Sequence, residues 1–375
     1  MNQKNNDLET LISGMDITRT MHNNAESKYV AIAEYLTNNG IKCDIYPQGS
    51  FALGTVIKPY KEGKEQNYDL DFICLVKEIP AETDPLVLRN LIGNLLKASN
   101  IYSEKLTEYE KCWTLEYADI NNIGFNMDII PAINHEFMTT FIKITDKNFE
   151  KNTAEWIISN PKGYINWFES INNLYPKDMK AVDESYQNLP DFDPMKRTSL
   201  QKVIQILKVL RNHYYFQRKK ENKKVISSII TTLCAKIAFE NPSFINLDTL
   251  TLLEYIINEL KLYSEFLNPQ YINDNKKAIK RNSSKWEILN PVNEQDNLAD
   301  QWNEDEEKAK LFFEWIDFIH EEYIDSDNIK YLYALQNAFG ENYVNSKINL
   351  STYGYKLDEK QETVQSKPWS CDICE

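Results

Sequence analysis

The residues best suited to chemistry lie close together in the first third of the chain. Gln48-Gly49-Ser50-Phe51-Ala52-Leu53-Gly54-Thr55 is followed by Tyr68-Asp69-Leu70-Asp71-Phe72. Gly49 has no Cβ, so its backbone can come close to a phosphate. Ser50 offers an N–H and a hydroxyl to the same oxygens, and a helix opening there adds its positive end. In a strand, residues i and i+2 point to one face, so Asp69 and Asp71 project together. A neighbouring strand could bring Asp128 beside them, from Gly124-Phe125-Asn126-Met127-Asp128-Ile129-Ile130-Pro131. Three carboxylates at one spot repel each other unless cations join them. Hard oxygen ligands suit Mg²⁺ or Mn²⁺, and two such ions can activate a ribose hydroxyl and stabilise departing pyrophosphate. These parts point to nucleotidyl transfer. The competing reading makes the acids ordinary strand-end residues, but Phe72, Ile73, Leu75 and Val76 continue as a buried run, and acids at its head need a reason to be there.

The elements that must position these residues can be read from periodicity. Helical spacing runs from about Asp7 to Asn38, with a stop at Asn39-Gly40. Cys43 to Tyr46 reads as a short strand leading into the Gly-Ser turn, and Leu53 to Ile57 continues as helix or strand. Gly54 either relaxes that helix or packs closely. Tyr68–Val76, Thr114–Tyr117 and Ile123–Ile130 read as strands, and Pro85–Asn100 as an amphipathic helix. This mixture ends near residue 165, after which the sequence is nearly all helical. Helical spacing covers Ser199–Phe216, Val225–Phe239, Leu247–Leu262 and Asp305–Tyr323. Leu189-Pro190-Asp191-Phe192-Asp193-Pro194 is a rigid connector and a plausible boundary. On the helix Ser199–Phe216, Gln201, Gln205, Lys208 and Asn212 form a polar ridge. A lysine there could hold terminal phosphates as a point charge, and Ser227 and Ser228 could add hydroxyls at the next helix start. Simple solvent exposure of the ridge is the competing reading.

Composition limits the rest. A chain of 375 residues with 42% hydrophobic and 12% aromatic residues supports a packed core in one large or two ordinary domains. A net charge of −14 disfavours general binding to nucleic-acid backbones. The basic runs Arg218–Lys224 and Lys276–Lys285 read as solvated loops. Cys43, Cys74 and Cys234 read as small core residues, and Cys371-Asp372-Ile373-Cys374 supplies only half a zinc site. His22, His135, His213 and His320 show no metal spacing, and Tyr214 and Tyr215 read as packing residues. There is no signal peptide and no bilayer-length apolar run, so a cytoplasmic protein with no membrane association is expected.

Gly49-Ser50, Asp69-x-Asp71 and Asp128 together resemble the pol-β-like nucleotidyltransferase superfamily. Within it, the chain resembles the bacterial cGAS/DncV-like nucleotidyltransferases (CD-NTases) of CBASS anti-phage systems. Three segments carry this narrower likeness: Leu200–Lys208 with Arg211, Ile226–Leu233, and Asn290-Pro291-Val292-Asn293 with Asn297 and Trp302. It covers about residues 25–330. The resemblance implies an α+β, bilobal enzyme: a pol-β-like core of mixed sheet and helices, closed by a helical lobe like that of oligoadenylate synthetases. Residues 1–170 would form the nucleotidyltransferase core with its N-terminal helix, 171–340 the helical lobe, and 341–375 a flexible tail.

The resemblance also implies two Mg²⁺ ions on Asp69, Asp71 and Asp128. Gly49 and Ser50 would hold the donor NTP, and Lys208 and Ser228 would contact its outer phosphates. Asp128 would help remove the proton of the attacking hydroxyl. The product would be a cyclic di- or trinucleotide acting on an effector protein. The chain lacks the His-Cys-Cys-Cys insertion of animal cGAS, so no double-stranded DNA activator is expected. Ile229 stands where cGAS has a base-stacking tyrosine. A ubiquitin-like transferase acting on the C-terminus is a further implied partner. The alternatives are linear oligonucleotide synthesis, nucleotide transfer to another acceptor, and a non-catalytic nucleotide-binding regulator.

Overall fold

The computed structural model describes residues 3–354, apart from 59, 62–63, 66, 81, 118–123, 173–196, 242–246, 269–277 and 283. The connector Leu189–Pro194, the Cys371/Cys374 pair and the tail beyond Gly354 lie outside the described residues.

The helical stretch expected from Asp7 to Asn38 is two helices, α1 (Gln3–Met15) and α2 (Arg19–Asn38). Thr18 caps α2 by accepting from the Met21 amide, which ends one helix and starts the next. There follow β1 (Cys43–Gln48), α3 (Gly49–Ala52), β2 (Tyr60–Lys61), β3 (Lys64–Glu65) and β4 (Tyr68–Val76). Next come α4 (Pro85–Ala98), β5 (Leu106–Glu108), β6 (Trp113–Tyr117), β7 (Phe125–Asn134), β8 (Ile142–Asn148), β9 (Thr153–Ser159) and α5 (Pro161–Asn172). One mixed sheet runs β1-β4-β7-β6-β5, with β8 on the later part of β7 and β9 beyond it. Only the central pair, β4 and β7, is parallel. Its lower face carries Leu70, Phe72, Met127 and Ile129 into a core with Tyr29 and Ile32 of α2 and Leu88 and Ile92 of α4. All eight of these side chains are sealed from water.

The second lobe is mostly helical, as read. It contains α6 (Ser199–Gln217), α7 (Ser227–Glu240), α8 (Thr249–Leu262), α9 (Asp300–Glu304), α10 (Glu306–Ile319), α11 (Asn328–Phe339) and α12 (Glu341–Lys347). Two small hairpins interrupt it: β10 (Lys280–Asn282) with β11 (Lys285–Glu287), and β12 (Leu289–Asn290) with β13 (Asn293–Asn297).

Two boundaries differ from the sequence expectation. Leu8, Leu11, Ile12 and Met15 of α1 pack into the helical lobe's core, with α6 and α8. The N-terminal helix therefore belongs physically to that lobe. The expected tail also starts later than residue 341, because α12 and the turn Leu350–Tyr353 bury Val344, Leu350 and Tyr353. Tyr353 donates its hydroxyl to Asp7 at 2.6 Å, tying that end back to α1.

The polar ridge of α6 is neither solvated nor idle. Gln201 donates to the Leu53 carbonyl at 2.9 Å, Gln205 to the Val56 carbonyl at 2.7 Å, and Lys208 to the Thr55 carbonyl at 2.9 Å. The loop after the Gly-Ser turn has no sheet partner, and these three side chains supply its hydrogen bonds. Asp16 anchors the same seam, accepting from Arg197 at 2.8 Å and from Gln205 at 3.3 Å.

Arg89 was not singled out by periodicity, yet it is wholly buried beneath the sheet edge. Its guanidinium donates to Glu108 and the Glu110 carbonyl at 2.8 Å each, to the Cys112 carbonyl at 3.1 Å, and to the Tyr109 carbonyl. It therefore fixes the β5–β6 turn that rims the acidic face. Arg89→Ala strands these acceptors and should cost about 3–5 kcal/mol of stability. Urea unfolding tests this; a loss below about 1 kcal/mol would show that the buried network contributes little.

Candidate active site

Sheet register sets the site. Across four strands, Gln48 lies opposite Asp71, Asp71 opposite Asp128, and Asp128 opposite Thr114. A second row places Asp69 beside Asn126, and Asn126 beside Glu116. Side chains alternate faces, so both rows project from the upper face while the apolar residues between them fill the core below. Asp69, Asp71 and Asp128 thus meet on rigid backbone. Asn126 donates to Asp69 Oδ1 at 3.1 Å, and Thr114 donates to Asp128 Oδ1 at 2.5 Å.

The three carboxyls are electrostatically crowded. Burial and the charges of Asp128 and Asp69 push Asp71 up to about 8. Burial likewise raises Asp69 and Asp128, against hydrogen bonds from Asn126 and Thr114 respectively. The donors are all hard carboxylate oxygens, and Asp71 faces like charges that a bound cation would offset in place of a proton, so by chemistry the set fits a divalent ion. Among the described residues, however, no three His, Cys, Asp or Glu side chains stand arranged to hold an ion as they are.

The Gly-Ser turn closes one side. Gly49 has φ +64°, and a Cβ there would stand 2.5 Å from Asp71 Oδ2. Glycine is thus needed both for the left-handed backbone and for the approach of Asp71. The helix expected to open here is a single turn, so its dipole adds little. The Thr55 amide instead bonds back to the Ser50 carbonyl at 2.9 Å. Gly54, at φ +65°, makes room for the side chains of Arg197 and Gln201, which is its close-packing role.

The helical lobe forms the opposite wall. Lys208 is 3% exposed, held by the Thr55 carbonyl and hydroxyl, and burial brings it down to about 7. Ser227 and Ser228 open α7, whose N-cap, Ile226, supplies no side-chain bond. Arg211 donates to the Ser227 hydroxyl and the Val225 carbonyl at 3.0 Å each, fixing that helix start. Ile229, Tyr214 and Tyr215 are core residues. Lys220 and Lys223 of the first basic run pair with Glu307 and Asp305.

Two cavities meet at the acids. The larger, about 660 Å³, lies between the lobes and is lined by Gly49, Ser50, Lys208 and Ser228 with all three aspartates. The smaller, about 560 Å³, lies on the far side, under Cys112, Thr114 and Asn126, and shares Asp69 and Asp128. Lys111 borders both. Sequence reasoning missed Thr55, Lys111, Thr114 and Asn126. Asn126 could have been found, since it precedes Asp128 by the same two-residue step that separates Asp69 from Asp71. The others carry no local signal.

Two measurements probe this geometry. Gly49→Ala should cut product formation at least about 100-fold with little change in secondary structure by circular dichroism, because the added methyl displaces Asp71. Asp71 takes up a proton on folding between the ordinary carboxylate range and about 8. Its contribution is fully present at low pH and is lost as pH rises through about 8. In metal-free protein, Asp71→Asn should therefore gain stability over wild type as pH climbs from about 6 to 9, by on the order of 1–2 kcal/mol at the upper end. Parallel melting curves across that interval would contradict the repulsion.

Comparison with known proteins agrees with this architecture. Residues 1–172 match the family model of the Second Messenger Oligonucleotide or Dinucleotide Synthetase domain. A c-di-GMP synthase of Roseivirga ehrenbergii is 30% identical over 328 residues, covering 85% of this chain and 78% of that protein. Among solved structures, the CD-NTase CdnG of Bradyrhizobium diazoefficiens in complex with GTP superposes with a TM-score of 0.69 at 16% identity, covering 94% of this chain and 99% of that one. The CdnC:HORMA-deltaN complex of E. coli MS115-1 gives a TM-score of 0.54 at 12% identity over 87% of this chain and 93% of that one. These two likenesses show the shared bilobal fold. The chain belongs to the cGAS/DncV-like nucleotidyltransferases, the CD-NTases, and is a nucleotidyltransferase of the kind that synthesises cyclic oligonucleotides.

Proposed function

We propose that the chain condenses two molecules of GTP into cyclic di-GMP, with divalent metal held by Asp69, Asp71 and Asp128. The observation that carries this reading is the pair of cavities sharing Asp69 and Asp128 as a common wall. Closing a ring requires each nucleotide to act once as donor and once as acceptor at one set of carboxylates. Two adjoining cavities suit that; a binding-only module needs one and has no use for crowded acids. The choice of guanine rests on the Roseivirga relative, a c-di-GMP synthase.

The donor triphosphate lies in the interlobe cavity. Ser50 offers its amide and hydroxyl there, and the uncapped start of α7 offers the amides of Ser227 and Ser228. Lys208, near 7 without ligand, takes up a proton as phosphate arrives and becomes a fixed positive charge. The acceptor lies in the second cavity, with its ribose hydroxyl toward Asp128. Because Thr114 occupies Oδ1, Oδ2 of Asp128 is the atom left to draw the hydroxyl's proton. Bound divalent ions, Mg²⁺ or Mn²⁺, would lower that hydroxyl's pKa and offset charge on departing pyrophosphate. The product would signal to an effector protein in anti-phage defence.

Incubation with GTP and Mg²⁺ or Mn²⁺, then phosphatase and mass spectrometry, tests the reading. Wild type should yield a phosphatase-resistant product of two GMP units, and Asp69→Asn and Asp128→Asn should yield less than about 1% of it. Products that phosphatase degrades would mean linear synthesis. Nucleotide binding without pyrophosphate release would mean a regulator.

A further inference from the structure

Thr114 is 4% exposed at the centre of β6, directly opposite Asp128. Its hydroxyl lies 2.5 Å from Asp128 Oδ1 and 3.5 Å from Cys112 Sγ. A hydroxyl has one proton, and the charged carboxylate at short range takes it. In the longer contact the thiol is then able to donate to the Thr114 oxygen. Thr114 lines the second cavity together with Asp128, so it holds that carboxylate from the acceptor side.

We infer that Thr114 is a positioning residue for nucleotidyl transfer, selecting which oxygen of Asp128 faces the reacting hydroxyl. The inference rests on the proposed function. A carboxylate held on one oxygen keeps its terminal torsion, and that torsion is otherwise broad. Asp128 also stands beside Asp71 across the sheet, and without its tether the carboxylate is free to turn toward that neighbour. Asp69 has the corresponding tether in Asn126, itself held by the Asn67 side chain at 3.2 Å. Asp71 lies instead against Gly49, where a Cβ would stand 2.5 Å from its Oδ2. Of the two tethers, the Thr114 bond is the shorter and the more buried, so it has the larger effect on a proton-accepting atom.

Thr114→Val keeps strand propensity and volume and removes only the hydroxyl. With GTP and Mn²⁺, kcat should fall about 10–100-fold while KM for GTP stays within about 3-fold. Thr114→Ser should restore kcat to within about 3-fold of wild type. Thr114→Ala, which adds no bulk, should show the same loss as the valine variant. A readout without turnover is the affinity for Mn²⁺, measured by electron paramagnetic resonance with a non-hydrolysable GTP analogue. It should weaken on the order of 10-fold in Thr114→Val and recover in Thr114→Ser. Wild-type kcat and Mn²⁺ affinity in Thr114→Val would overturn the assignment. So would a serine variant as impaired as valine, which would make the role one of packing. Wild-type protein that releases no pyrophosphate from GTP would overturn the transfer reading itself, and this assignment with it.

Discussion

The organising constraint is repulsion among three carboxyls on one face of a sheet. Asp71 sits between Asp69 and Asp128, and the charge it cannot spread raises it to about 8. Flexible loops would relieve such crowding by moving apart. Here β4 and β7 are central strands, paired along eight residues and backed by a sealed apolar layer, so the acids have nowhere to go. The stability of the core below is what makes the strain above tolerable. The nearest buried cation does not resolve it: Lys208 is itself brought down to about 7 by burial and by Arg211.

The two lobes are joined where the chemistry is. The ridge of α6 reaches the carbonyls of Leu53, Thr55 and Val56, the stretch that follows the Gly-Ser turn. A shift of α6 therefore moves the stretch after the Gly-Ser turn directly. The N-terminal segment reinforces this link. α1 packs in the helical lobe, α2 packs under the sheet, and Asp16 between them binds Arg197 and Gln205. The chain thus crosses between lobes at its start as well as between β9 and α5, whose Phe168 and Ile171 already pack into the helical lobe's core, and the second crossing limits how the lobes can slide.

The acidic face was legible because it rests on period-two alternation. Asp69 and Asp71 had to share a face, and the apolar run after them had to be buried; both follow from strand geometry. Elements held by non-local bonds were not legible. Lys208 could be read as a phosphate contact or as part of a solvated ridge, but not as a partner of the Gly-Ser loop, since nothing in α6 reveals that a loop some 150 residues earlier lacks partners. Arg89 sits on the apolar face of α4, where a charge is acceptable only because four acceptors meet it. β8 and β9 were missed because their charged residues broke the apolar count, though Lys143 and Lys147 are engaged by Glu136 and Glu108. α1 reads like any amphipathic helix, and the lobe it joins depends on contacts with α6, α8 and α12.

Under the proposed function, an acidic chain takes up triphosphates and must keep its attraction local. The net charge of −14 repels polyanions at long range, and the interlobe cavity adds Asp296 and Asp300 to the three clustered acids. Attraction comes instead from short-range donors: the Ser50 turn, the α7 start and Lys208. Under the proposed function, these donors and the acids are coupled. A cation ionises Asp71, and ionised Asp71 favours the charged form of Lys208. Phosphate favours that same form, so metal and nucleotide each make the other's binding less costly. Neither ligand alone fully charges the site. A chain built this way gains selectivity for the metal–nucleotide complex over bare polyanions, which meet the acids with nothing to offset them.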